Sequence, residues 1–282
     1  MLKDVEEIKI DVEEQINVTE IDTQLCKDIN KNNNDLNIYQ PTCKGSEEAQ
    51  NSKNVTTIQN LHEAFYNHLL YCSIQQQYRS VVVLNGEIPD ASFFKRDMTI
   101  IAVDGGTNQL ASIDIQPDLV IGDLDSVNPD LSTSLNAIYL SDQDYCDFSK
   151  AIEHLKTMQL LPSIITGITG GSIDHILQNI NIFLSTGSIF YTPSPRMVGY
   201  TLQRGMTHFS YLSKNTKISL LGIPRAQVST KGLKWELYLS NLAFPGKNSC
   251  FNRSLRDKVS IEVHSGICLA MVYLEAVDDA GV

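Results

Sequence analysis

The 282-residue chain carries a formal net charge of −11, with 42% hydrophobic and 20% charged residues. That balance suits a globular protein of one large or two modest domains, and the acidic excess argues against a general nucleic-acid binder, which needs a basic face for phosphates. No apolar run reaches the ~20 residues of a membrane span, and "MLKDVEEIKIDVEE" at the start lacks the apolar centre of a secretory signal.

A cytoplasmic protein is therefore expected. Its six cysteines include no CxxC pair and read as reduced thiols. The first 50 residues hold 12 acidic and 5 basic side chains. With little apolar surface to offset ordering entropy, residues 1–57 read as a disordered acidic extension. The stretch "IQNLHEAFYNHLLYCSI" (58–74) spaces its apolar residues as a helix does and is expected to dock on the strand-rich region C-terminal to it.

From residue 80 the texture changes. "SVVVLNG" (80–86), "MTIIAVDGG" (98–106), "DLVIGD" (118–123), "AIYL" (137–140) and "SIITGITGG" (163–171) are short apolar runs, most of them ending in glycine or aspartate. Such runs suit strands covered on both faces. Between them, "DFSKAIEHLKTMQ" (147–159) puts Phe148, Ala151, Ile152, Leu155 and Met158 on one helical stripe. "IDHILQNINIFLS" (173–185) does the same with Ile173, Ile176, Leu177, Ile180 and Leu184. Strands alternating with helices predict an α/β domain over 58–190, a mostly parallel sheet flanked by helices. Beyond 190, "TKISLLGI" (216–223), "KWELYLSNLAF" (234–244), "KVSIEVHSG" (258–266) and "ICLAMVYL" (267–274) read as strands without helices, predicting an all-β sandwich over 191–282.

Ligands of open α/β sheets bind beyond the carboxyl ends of the strands, and those ends are loaded with acids and glycines. Asp104, Gly105, Gly106 and Asn108 stand at the end of the second run, and Asp123 and Asp125 at the end of the third. Asp142, Asp144 and Asp147 come after the fourth, and Gly170, Gly171, Asp174 and His175 at the end of the fifth. One aspartate in such a place is an ordinary turn former or helix cap. Several converging on one edge repel each other unless a cation sits among them. In an extended chain Asp123 and Asp125 point to the same side, offering half of a magnesium site whose other positions go to water and substrate phosphates. The glycine pairs fit backbone N–H groups facing phosphate, yet neither a P-loop nor GxGxxG occurs there. Lys150 stands one helical step past Asp147. Trp235, the only tryptophan, is either a core residue or a platform for a heteroaromatic ring.

Taken together, "DGGTN", "PDLVIGDLDS", "DQDYCDFSKAIEHL", "GGSIDH" and "STKGLKWEL…LAFPGKNSCFN" resemble the thiamine pyrophosphokinase family, in order over about residues 80–275. The resemblance implies an α/β domain followed by a β-sandwich, and a homodimer with active sites between subunits. The implied reaction moves pyrophosphate from ATP to the hydroxyl of thiamine, giving thiamine diphosphate and AMP. By position it assigns Mg²⁺ to Asp123, Asp125 and Asp147, and the nucleotide side to Asp104, Gly105, Asn108, Gln143, Lys150, Gly170, Gly171, Asp174 and His175. Thiamine falls to Trp235, Ser249 and Asn252. Two residues depart from the family pattern: Cys146 stands where threonine is usual and Ser172 where many members have arginine. Arg196, Arg204 and Arg225 are candidates to supply the missing cation. The competing expectations are a pyrophosphokinase for another alcohol, such as a hydroxymethylpterin, or a non-catalytic thiamine or nucleotide sensor.

Overall fold

A computed structural model of the chain describes residues 78–94, 98–131, 135–210 and 212–274. The acidic extension and the helix expected over 58–74 lie outside them. Among the described residues, no helix is long and apolar enough to cross a membrane.

The five apolar runs become parallel strands: β1 (Ser80–Val83), β2 (Thr99–Val103), β3 (Leu119–Gly122), β4 (Ala137–Tyr139) and β5 (Ser163–Thr166). Their order in the sheet is β5-β1-β2-β3-β4. Every residue of β1, β3 and β5 is buried, as continuous β-branched runs demand of a sheet covered on both faces. Helix α1 (Gly106–Ala111) follows β2, α2 (Asp147–Thr157) follows β4 and α3 (Ile173–Phe183) follows β5. On α2 four of the five residues of the expected stripe are buried, Phe148, Ala151, Ile152 and Leu155, whereas Met158 caps the helix and is 44% exposed. Each such side chain removed from water is worth on the order of 1–3 kcal/mol, and they share one core with Val82, Ile101, Ile121 and Ile165 of the sheet.

Helix α3 departs from its expected stripe. Only Ile182 and Phe183 of α3 are buried, whereas Ile173 is 70% and Leu177 51% exposed. The stripe holds only at the C-terminal end, where Ile180 and Leu184 join the core with Ile182 and Phe183.

After α3 the sheet does not end. β6 (Ile189–Pro193) pairs parallel with β5 and antiparallel with β7 (Arg196–Leu202), so the ladder runs unbroken through the expected boundary at 190. β8 (Gly205–Phe209), β9 (Lys217–Lys231), β10 (Ser240–Ala243), β11 (Ser249–Arg253) and β12 (Val259–Tyr273) complete it. The two runs expected on either side of Gly266 are a single strand, β12, with register shifts at Val263/Ser265 and Gly266/Cys268. These bulges bend it, letting β9 and β12 serve two layers. The first half of β12 pairs with β8 and the far half of β9; its second half pairs with β7 and the near half of β9, beside β11. Alternate residues of both halves (Ile218, Leu220, Val228, Ile261, Val263, Ala270, Val272) meet in one apolar core, which is a sandwich closed by bent strands. The run expected as a strand over 234–244 pairs only from Ser240; Trp235 stands on the irregular turn before it.

Candidate active site

The strand order reverses between β1 and β5, where connections leave in opposite directions. Open α/β sheets part at such a point to form a crevice. Here the two strand ends approach closely: a Cβ on Gly86 would lie 1.9 Å from the Thr169 carbonyl oxygen. A cavity of about 260 Å³ opens there, lined by Asn85, Gly86, Asp104, Gly105, Asp125, Ser126, Cys146, Asp147, Gly171 and His175 among others. Gly170 turns at φ +97°, a conformation costly for other residues, and a Cβ there would meet the Glu87 backbone nitrogen at 2.8 Å.

Asp104, Asp123 and Asp147 each bring a carboxylate oxygen within 4.8 Å of the others. They come from the ends of β2 and β3 and the start of α2. Asp125 takes a different place. It lines the cavity and accepts a hydrogen bond from Ser126 Oγ at 2.9 Å. The left-handed Leu124 (φ +62°) between Asp123 and Asp125 breaks the extended alternation that would have aligned them.

The cluster is held by neutral and cationic groups. Gln143 Nε2 donates to Asp123 Oδ2 at 2.8 Å, and the Asp125 N–H to Asp123 Oδ1 at 3.3 Å. The Gln143 bond, seconded by that N–H and the Lys150 charge, holds the Asp123 carboxyl below the usual carboxylate range. Asp104 is 9% exposed, and burial pushes its carboxyl up, against hydrogen bonding from Ser126 and with the Asp147 charge adding. Asp147 Oδ1 is shut off from solvent and lacks a partner in good hydrogen-bond geometry, but Lys150 Nζ stands 2.6 Å away. Lys150 also donates to the carbonyls of Leu140 (3.2 Å) and Asp142 (2.8 Å). Burial works against its charge and is outweighed by Asp147, Asp123 and Asp142, which hold its ammonium above the usual lysine value.

Asn108 spends both ends of its amide on the loop that carries the aspartates. Its Nδ2 donates to the Ser126 carbonyl at 2.7 Å, and its Oδ1 accepts from the Asn128 N–H at 2.8 Å. Asp174 is exposed in the first turn of α3, and His175 lines the cavity. Asn85, Gln178 and Asn179, none of them expected from the sequence, line it too. The signal for the last two is their spacing, one helical turn beyond His175 on α3.

Trp235, Ser249 and Asn252 form a second group on the β-rich half, and none of them lines the aspartate cavity. Trp235 is 55% exposed, with Lys234 Nζ 4.7 Å from its ring centroid. Asn252 is 1% exposed, its amide engaged with the backbone of Trp235 and with Ser249 Oγ. In this arrangement Asn252 supports the tryptophan turn.

An all-oxygen cluster of three carboxylates fits a hard divalent ion such as Mg²⁺, and Gly86, Gly105, Gly167 and Gly171 line the adjacent cavity, where the lack of side chains lets a polyphosphate approach the backbone. The descriptions "Thiamin pyrophosphokinase, catalytic domain" and "Thiamin pyrophosphokinase, vitamin B1 binding domain" match residues 91–190 and 207–268, together more than half of the chain. Thiamine pyrophosphokinase 1 of Arabidopsis thaliana is 24% identical over 229 residues, covering 67% of this chain and 84% of that one. Thiamine pyrophosphokinase 2 of Oryza sativa subsp. japonica is 27% identical over 222 residues, covering 65% and 82%. The solved thiamin pyrophosphokinase from Candida albicans shares the fold at a TM-score of 0.59 and 20% identity, over 70% of this chain and 90% of that one. The Bacillus subtilis thiamine pyrophosphokinase aligns at 0.58 and 20%, over 70% and 100%.

Proposed function

The chain belongs to the thiamin pyrophosphokinase family, and from that premise we propose that it is an ATP-dependent diphosphotransferase that converts thiamine to thiamine diphosphate, releasing AMP. The observation that carries the proposal is the meeting of Asp104, Asp123 and Asp147, from three separate segments, beside the glycine-walled cavity. Pyrophosphoryl transfer requires positioning and charge neutralisation more than covalent chemistry by the protein.

In this reading Asp104, Asp123 and Asp147 hold Mg²⁺, and Asp125 faces the phosphates from the cavity wall. When bound, the ion supplies the positive charge that phosphate oxygens and the leaving nucleotide demand. Gln143 and Lys150 keep the carboxylates in place while the site is empty of substrate. Gly105, Gly170, Gly171, Asp174 and His175 form the nucleotide side, and Asn108 fixes the loop opposite. Trp235 offers an exposed aromatic face to thiamine, whose cationic ring favours a π surface, while Ser249 and Asn252 back it.

The reading includes a cytoplasmic homodimer with shared sites. Cys146 and Cys250 are free, exposed thiols, which suit a reducing compartment. Trp235, Tyr238, Phe244 and Phe251 are exposed on the β-rich half, away from the residues lining the aspartate cavity. A second copy would bring such a surface to the first copy's cavity. The decisive assay measures AMP release with ATP, thiamine and Mg²⁺, omitting each in turn, with a hydroxymethylpterin as control alcohol. AMP that forms without regard to thiamine refutes the proposal. For the shared site, mixing inactive Asp147→Asn and Trp235→Ala proteins is expected to restore activity; no recovery in a proven mixed dimer refutes sharing.

A further inference from the structure

Trp235 is 55% exposed with the Lys234 ammonium against its ring, so core packing does not fix its indole in place. The backbone of its turn must do so, and two side chains grip that backbone from opposite ends. Asn252, buried in the sandwich, takes the Trp235 N–H on Oδ1 at 3.1 Å and donates Nδ2 to the Trp235 carbonyl at 2.7 Å. Glu236, the next residue after the tryptophan, is exposed, yet its carboxylate folds back across the turn. Oε1 accepts the N–H groups of Gly232 (2.6 Å) and Leu233 (3.1 Å), and Oε2 accepts the Thr230 hydroxyl at 2.7 Å. Thr230 Oγ1 in turn accepts the Leu237 N–H at 2.9 Å, closing the loop on both sides of Trp235. Gly232 makes the bend at φ +98°, and a Cβ there would lie 2.5 Å from the Lys258 carbonyl oxygen.

We propose that Glu236 is a positioning residue for thiamine: its carboxylate ties the 230–237 turn shut and so fixes the plane on which Trp235 meets the substrate. This rests on the reading of Trp235 as the thiamine platform. Charge-assisted bonds are the stronger class, and three on one exposed carboxylate, two from backbone N–H groups and one from a hydroxyl, exceed what a solvated surface glutamate needs. Without Glu236 the Gly232 and Leu233 N–H groups turn to water, and the turn loses its closure while Asn252 still holds one end.

Trp235 is the only tryptophan of the chain, so its fluorescence reports this turn alone. Glu236→Ala is expected to lower the anisotropy of that emission and increase its quenching by acrylamide. It should raise the KM for thiamine about tenfold, the scale of one lost charged hydrogen bond, with kcat and the ATP KM within about twofold of the parent. Glu236→Gln keeps an acceptor for Gly232 and Leu233 and should recover most of both signals. An unchanged indole signal and thiamine KM in Glu236→Ala overturn the proposal. So does a Gln variant as impaired as Ala in thiamine KM while its indole signal stays that of the parent, which would mean that the negative charge acts on thiamine directly. If the parent turns over no thiamine, the enzymatic reading fails, and the indole signal alone decides whether Glu236 holds the turn.

Discussion

Lys150 Nζ lies 2.6 Å from Asp147 Oδ1 and also donates to the carbonyls of Leu140 and Asp142. Two of its protons go to those carbonyls and its charge lies against Asp147, so in this state Lys150 is the countercharge of the carboxylate cluster and not a free hand for phosphate. With Lys150 8% and Asp147 26% exposed, the pair is mostly shielded from water. Breaking a fully buried pair costs about 3–5 kcal/mol; partial access lowers the expectation for Lys150→Met to about 2 kcal/mol. Urea unfolding with and without Mg²⁺ checks it. The variant should regain part of the loss when the ion is added, because the ion neutralises the same carboxylates.

In the proposed reading Asp104 and Asp125 exchange the roles that the family resemblance assigns them. Asp104 is buried within ligand distance of Asp123 and Asp147, whereas Asp125 faces the cavity and Ser126. Asp104→Asn should therefore behave like Asp123→Asn and Asp147→Asn, losing about 10²–10³-fold in kcat, the cost of one key electrostatic group. It should also raise the Mg²⁺ concentration needed for half-maximal rate. Asp125→Asn should cost less and act mainly on the KM for ATP. Mg²⁺ titrations of the four variants discriminate: a larger metal defect in Asp125→Asn than in Asp104→Asn would reverse the assignment.

That exchange marks the limit of what the chain discloses before folding. The parallel strands were legible because β-branched runs such as "SVVV" and "SIIT" have one physical use, burial on both faces. The α2 stripe was legible because its apolar spacing and its burial coincide. The aspartates were visible at strand ends, but which of them meet depends on single dihedral angles such as the positive φ of Leu124. Likewise Gly266 looks like a turn between two strands, and only the pairing of β12 with β9 shows it to be a bulge in one. Glu236 carries no signal of its own, because its partners are backbone N–H groups that every sequence possesses.

Gln143 and Asp123 set a dependence on pH. The folded Asp123 carboxyl sits below its ordinary value, chiefly through the Gln143 bond. A depressed folded pKa stabilises above the unfolded value and is lost as pH falls through the folded one. Gln143→Ala removes the main cause, so the metal-free variant should begin acid unfolding at a higher pH than the parent. Asp104 works in the opposite sense: its pKa is raised by burial, so protonating it on acidification relieves a cost. Asp104→Asn should therefore leave that early acid transition unadvanced. Circular dichroism against pH in the presence of a chelator measures both, and coincident curves for Gln143→Ala and the parent would remove Gln143 from this role.

Cysteine chemistry separates the surfaces of the molecule. Cys268 is fully buried in the sandwich core, and burial pushes its thiol pKa to about 12. The thiolate is the reactive form, so at neutral pH Cys268 should resist iodoacetamide until the protein unfolds. Cys146 and Cys250 are exposed and should react in the native state. Cys146 lines the aspartate cavity next to Asp147, with its Sγ 3.5 Å from Ser149 Oγ. An added carboxamidomethyl group there occupies the space assigned to phosphates, so alkylation at Cys146 should abolish activity, and ATP with Mg²⁺ should protect against it. Peptide mapping by mass spectrometry assigns each modified site. Cys146→Ser should keep activity under the reagent. Inactivation of that variant at the parent's rate, tracking label at Cys250, would move the sensitive surface to the β-rich half.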